Sequence, residues 1–184
     1  MPRRLFVFDP PDRFIAGAVG EPGKRSFYLQ ASKGDASVSV TLEKVQVQLL
    51  AQRVAQLLAE VKARGADVPV EGDRIEVDRD PLREPLISQF TVGAMILAWD
   101  GADESIVVEA REELESDEEE PIEIADDDPE GPDLLRVRIP PATALAFAER
   151  AAEVVAAGRP PCPLCGQPLD PHGHLCPRRN GYVN

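Results

Sequence analysis

Two stretches of this chain carry the same pattern, and that pattern constrains the fold more than any other feature. Residues 40–61 read VTLEKVQVQLLAQRVAQLLAEV, and residues 137–158 read VRIPPATALAFAERAAEVVAAG. They superpose without a gap at an offset of 97. Val40 falls on Val137, Leu42 on Ile139, Leu50 on Phe147 and Arg53 on Arg150. Each begins with the period-two alternation of a strand and then changes to helical spacing. Leu50, Val54, Leu57, Leu58 and Val61 form one helical stripe; Phe147, Ala151, Val154 and Val155 form the other. Pro140 and Pro141 suit a first helical turn, where no amide donor is needed. Gly65 and Gly158 suit helix ends.

The match extends upstream. Phe14-Ile15-Ala16-Gly17-Ala18 resembles Phe90-Thr91-Val92-Gly93-Ala94 at an offset of 76, and each is followed by a second strand candidate, at 26–31 and 105–111. The spacing predicts an α+β fold of two βββα repeats, each an antiparallel sheet covered by a helix, related by an approximate dyad. The expected division is 1–67 for the first repeat, 68–158 for the second and 159–184 for a C-terminal tail. Strands at Leu5 to Phe8 and near Arg74 to Val77 would lengthen the sheets. Gly17 and Gly93 read as bulges or close contacts, and Trp99-Asp100-Gly101 as a hairpin turn.

The net charge of −13 is local. Residues 112–133 hold thirteen acidic side chains and no Lys or Arg, so the rest of the chain is balanced. The tract stands where the first repeat has the short turn Ser32-Lys33-Gly34-Asp35, and it reads as an expanded, solvated hairpin loop. Its island Pro121-Ile122-Glu123-Ile124-Ala125 is the part able to dock.

The chemistry is concentrated at the other end. All three cysteines and both histidines lie between Cys162 and Cys176. Cys162-Pro163-Leu164-Cys165-Gly166 has the form of a zinc knuckle, and Gly166 permits the sharp turn that lets two thiolates grip one ion. His174 and Cys176 are two apart, so an extended backbone turns both to the same side. Cys162, Cys165, His174 and Cys176 then complete a closed Cys₃His tetrahedron around zinc. His172 is the alternative to His174, placed nearer the loop tip by Pro171 and Gly173. Four protein ligands leave no open position, so the expected zinc is structural. Three cysteines also argue against a disulfide scaffold and for a reducing compartment. No apolar run approaches the ~20 residues of a membrane span, and the four-residue apolar run after Arg4 is too short for a signal-peptide core. A cytoplasmic protein is expected.

The tail Cys-Pro-x-Cys-Gly … Gly-His-x-Cys-Pro-Arg … Asn-Gly-Tyr, from Cys162 to Tyr182, resembles that of an uncharacterised bacterial family. So do Phe6-x-Phe8-Asp9-Pro10 and Phe27-Tyr28-Leu29-Gln30-Ala31. The family is catalogued as a domain of unknown function made up of conserved hypothetical proteins. The resemblance covers essentially the whole chain and implies no activity, substrate or partner.

Function is therefore weighed on inventory. With both histidines in the tail, the core holds no histidine base, and no Gly-rich phosphate loop or nucleophile elbow is present. These absences weigh against an enzyme. An adaptor is the first expectation, with a protein partner, or nucleic acid through Arg178 and Arg179, which make a thin and salt-sensitive basic patch. An enzyme with a site between the repeats and a purely structural zinc is the alternative.

Overall fold

The computed structural model describes residues 2–69, 75–114, 131–169, 173, 174, 176 and 178. Its elements follow the chain as β1 (Leu5–Phe8), β2 (Arg13–Val19), β3 (Ser26–Lys33), β4 (Ala36–Leu42), α1 (Lys44–Ala63), β5 (Ser88–Asp100), β6 (Ser105–Glu112), β7 (Leu134–Ile139) and α2 (Pro141–Ala156). The fold is α+β, as the spacing predicts. The strands, however, form one mixed seven-stranded sheet in the order β1-β7-β6-β5-β4-β3-β2. Two separate antiparallel sheets were expected. The difference lies at the edges, where an unpaired strand presents a row of free backbone groups. β4 satisfies its open edge by pairing in parallel with β5, Ser39 opposite Ser88 and Thr41 opposite Thr91. β7 does the same with β1, Val7 opposite Arg136 and Phe8 opposite Val137. All other neighbours are antiparallel.

The helices also do not each cover their own strands. α1 and α2 pack on one another, α2 lies mainly on β2, and α1 touches β5. Val47, Leu50, Val54, Leu58 and Val61 of α1 are buried, with Ala144, Phe147, Ala148 and Ala151 of α2. They close one core with Leu29, Val40, Ile106, Val108 and Val137 of the sheet. The rings of Phe14 and Phe147 stack at 4.5 Å and 14°, seating α2 on β2.

Local signals explain the boundaries. The Glu43 amide donates to Gln46 Oε1 at 2.7 Å, so one orphan donor at the start of α1 is met by a side chain. Gly65, at φ +98°, ends α1 and donates to the Lys62 carbonyl. Pro140 and Pro141 open α2. Gly93 lies at a register shift between β5 and β6, and a Cβ there would meet Glu113 Cα at 2.7 Å. A Cβ on Gly17 would meet the Leu82 side chain at 2.6 Å. Both glycines are thus close contacts. The chain turns from β5 to β6 after Asp100. The acidic tract joins β6 to β7, antiparallel neighbours closed where the Glu112 amide donates to the Asp133 carbonyl at 2.9 Å. Its residues 115–130, with the 121–125 island, lie outside the described residues.

Residues 75–77 carry no strand, contrary to expectation, and Arg74 lies outside the described residues. Instead, the segment before β5 crosses the body as a strap. It is held by polar groups rather than a ladder. Gln30 Nε2 donates to the Arg83 carbonyl, and the Arg83 amide donates to Gln30 Oε1. Arg150 of α2 reaches the Asp78 carbonyl.

Candidate metal centre

The tail leaves α2 through Gly158-Arg159-Pro160-Pro161. Pro160 and Pro161 cannot donate to a helical ladder, so α2 stops at Ala156. A short two-sided turn follows. Pro161 bridges Pro168, the Leu169 amide donates to the Pro160 carbonyl at 2.8 Å, and the Cys162 amide donates to the Gln167 carbonyl at 2.7 Å. Inside it the Gly166 amide returns to the Cys162 carbonyl at 2.8 Å, with Gly166 at φ +74°. This is the geometry a Cys-x-x-Cys-Gly sequence needs to bring both sulfurs to one side, and Gly pays no Cβ penalty for it.

The second arm brings His174 and Cys176 to the same place, after Gly173 at φ +85°. One donor atom from each of Cys162, Cys165, His174 and Cys176 lies within 4.8 Å of every other. His174 Nε2 is 3.2 Å from Cys165 Sγ, and the Cys162 and Cys176 sulfurs are 3.9 Å apart. Cys162 and Cys176 are buried. All three cysteines are free thiols. The four residues lie close enough to bind a metal ion. His172 lies outside the described residues, as do Arg179, Asn180, Gly181 and Tyr182.

The electrostatics favour a thiolate at one corner. The amides of Cys165 and Leu164 are directed at Cys162 and hold its thiol below the ordinary cysteine value, the Leu164 amide at 3.4 Å from Sγ. The Gln167 amide acts to lower Cys165 as well, but burial and the neighbouring Cys176 and Cys162 sulfurs outweigh it, and that thiol is raised. Three sulfurs this close resist sharing negative charge without a cation. A metal ion removes that conflict, since a thiol deprotonates when it coordinates. His174 Nδ1 is buried and finds no hydrogen-bond partner among the described residues, whereas Nε2 faces the sulfurs.

No other group of three or more His, Cys, Asp and Glu side chains able to hold a metal occurs among the described residues. No described helix is long and apolar enough to cross a membrane. One polar residue that the sequence did not single out is Arg150, which is buried on α2 and makes three hydrogen bonds. The matching Arg53 on α1 is exposed, so nothing in the helical pattern separates the two.

Comparison with known families places the chain. It belongs to the family described as protein of unknown function (DUF3090), whose profile matches residues 6–176, from β1 to the last cysteine. No match is found among curated proteins or among solved structures.

Proposed function

We propose that this protein is a duplicated βββα body carrying a structural zinc site, and that the zinc-held tail presents a contact surface to a protein partner. The four converging donors carry the reading. Zinc bonds sulfur at about 2.3 Å, so a tetrahedral site has edges of about 3.8 Å. The Cys162–Cys176 sulfur separation of 3.9 Å matches such an edge, and the 4.8 Å limit on all pairs needs only small closure. Cys₃His is a donor set suited to zinc, and four protein ligands leave no place for a reacting water. Cys162, Cys165, His174 and Cys176 are the proposed ligands.

The duplication is supported by the strand registers. Val40 pairs with Leu29, and Leu29 with Ala16; Val137 pairs with Val108, and Val108 with Leu97. The parallel joints correspond too, Ser39 with Ser88 and Arg136 with Val7. On this reading β1 and β2 together are the counterpart of the longer β5, interrupted by Pro10 and Pro11. The first strands then align at an offset of 81, as Ala16 with Leu97 and Val7 with Ser88, rather than 76. The repeats run over 1–67 and 68–158, with the tail from 159 added once.

A protein partner is favoured over nucleic acid by the surface. Leu164 sits between two proposed ligands and is half exposed, at 50%. An apolar tip on a metal-rigidified turn suits a protein contact. The thirteen acidic side chains of residues 112–133 oppose a polyanion.

Two measurements test the proposal. Metal analysis of protein purified without chelators should give one zinc per chain, lost in Cys165→Ser. Under about half an equivalent would overturn the structural site. Capture from lysate should recover a defined polypeptide with the wild type but not with Cys162→Ser or Leu164→Asp. The Leu164→Asp protein should keep its zinc, which separates loss of contact from loss of the site.

A further inference from the structure

A second feature lies away from the sulfurs. Beside the start of α1, the β2–β3 turn and the exit of α2 enclose a recess of about 500 Å³. That is within the roughly 300–1,000 Å³ typical of small-ligand sites. Three cationic side chains line it, Arg25, Lys44 and Arg159, against one carboxylate, Glu43. The hydroxyls of Thr41 and Thr91, 3.2 Å apart, belong to the same wall.

The cations are gathered, not scattered. Arg25 is fixed at two points: Nη1 donates to the Val154 carbonyl at 3.0 Å, and its guanidinium lies 5.0 Å from the Phe27 ring centroid. Its Nη2 and the Lys44 Nζ converge on Gly158. A methyl group there would stand 3.2 Å from the first and 3.3 Å from the second. Like charges this close repel unless an anion lies between them. Capping of α2 explains Arg25 Nη1, but Lys44 makes no hydrogen bond or ion pair among the described residues. The N-terminus of the 20-residue α1 opens onto the same wall and adds a field that favours negative charge. The acidic excess of the chain lies in residues 112–133, and the recess gathers positive charge in the balanced remainder.

We infer that this recess binds a small phosphate-bearing ligand, with Arg25, Lys44 and Arg159 taking the phosphate oxygens and Thr41 and Thr91 supplying hydroxyl contacts. The size of the recess selects a compact anion over a long polyanion. The inference goes beyond the zinc reading and does not depend on the identity of the metal.

The test is calorimetric titration of the full-length protein with inorganic pyrophosphate at about 0.15 M ionic strength. One saturable site with Kd below about 1 mM is expected. Lys44→Ala and Arg159→Ala should each weaken it at least about tenfold, with far-UV circular dichroism unchanged. Lys33→Ala makes the same charge change outside the recess and should weaken it less than about twofold. No saturable binding up to about 10 mM overturns the inference, as does equal weakening by Lys33→Ala. So does an RNA oligonucleotide that binds more tightly than pyrophosphate and is not displaced by it. A parallel flotation arm uses vesicles containing phosphatidic acid. Flotation competed by pyrophosphate and lost in Lys44→Ala supports the site with a lipid headgroup as the phosphate source. Pyrophosphate binding without flotation supports it with a soluble one. If zinc stoichiometry holds and pyrophosphate fails to bind, the recess inference alone falls.

Discussion

Arg150 offers the sharpest test of how α2, β2 and the strap are held together. Its side chain is 8% exposed, an environment that pushes the guanidinium below its ordinary value through desolvation, while Asp78 opposes that shift. Nε donates to the Ala16 carbonyl at 2.7 Å, and Nη1 donates to the Asp78 carbonyl at 2.5 Å and to Asp78 Oδ1 at 3.3 Å. Ala16 lies on β2, which has a strand partner on one side only. Arg150→Ala removes all three bonds and leaves a cavity beside Phe147. Each buried carbonyl left unpaired costs about 1–3 kcal/mol. Breaking a fully buried ion pair costs about 3–5 kcal/mol. Asp78 is 35% exposed and water screens part of that term, so the lower end applies, about 3 kcal/mol in all. With a urea m-value of about 2 kcal/mol/M, the midpoint should fall by about 1.5 M. Arg150→Lys keeps the charge but not the fork, and should lose roughly half as much. Asp78→Ala combined with Arg150→Ala should cost less than the two singles added, because they share one network. Urea denaturation followed by circular dichroism reads all four. A loss under about 1 kcal/mol for Arg150→Ala, or strict additivity in the cycle, would refute the claim that this arginine ties the strap to the body.

Two further outcomes follow from the same region. Phe147→Ala deletes a ring that is 2% exposed and stacked on Phe14; it should cost about 3–5 kcal/mol in the same assay, and Phe147→Leu much less. The Arg13 guanidinium beside Asp78, together with the Asp80 amide, holds the Asp78 carboxyl below its ordinary value of 3.8. A depressed carboxylate contributes stability that is complete above its unfolded value and is lost as pH falls through the folded one. The stability gap between wild type and Asp78→Asn should therefore be constant from pH 7 to about 5 and close below about pH 4, and a gap that widened on acidification would contradict the pairing.

The apolar spacing carried much of the fold. The βββα order, both helices and most of their buried stripes are readable from period two changing to a period of about 3.6. The parallel joints β4–β5 and β1–β7 were not readable, because a strand's own pattern states which face is buried but not which neighbour it takes. The strap at 75–87 was invisible for a related reason. It is held by Gln30, Asp78 and the contact of Leu82 with Gly17, single residues with no periodicity. The tail was legible because ligand chemistry restricts residue type: sulfur and imidazole within fifteen residues leave few structural alternatives. The basic recess was not, since Arg25, Lys44 and Arg159 are 19 and 115 residues apart in sequence and only the packing of α2 against α1 brings them together.

If the body is duplicated as proposed, a functional feature belonging to one half should appear where the halves differ. At an offset of 97, Glu43 and Lys44 at the start of α1 meet Pro140 and Pro141 at the start of α2. At the β3–β6 offset of 79, set by Leu29 and Val108, Arg25 meets Glu104. On that alignment the second half lacks the lysine at the helix start and reverses the arginine, whereas Arg159 falls on another cation, Lys62. A cation cluster needed only for solubility or for capping a helix would gain nothing from standing in one copy alone. The same asymmetry separates Arg150, buried under the strap, from exposed Arg53. The strap meets α2 at Arg150, the recess meets the chain just beyond α2 at Gly158, and the tail follows directly from there. On the proposed duplication both halves supply apolar strands and a helix to the one core, and the charge differences between them mark the recess as the place to test for binding.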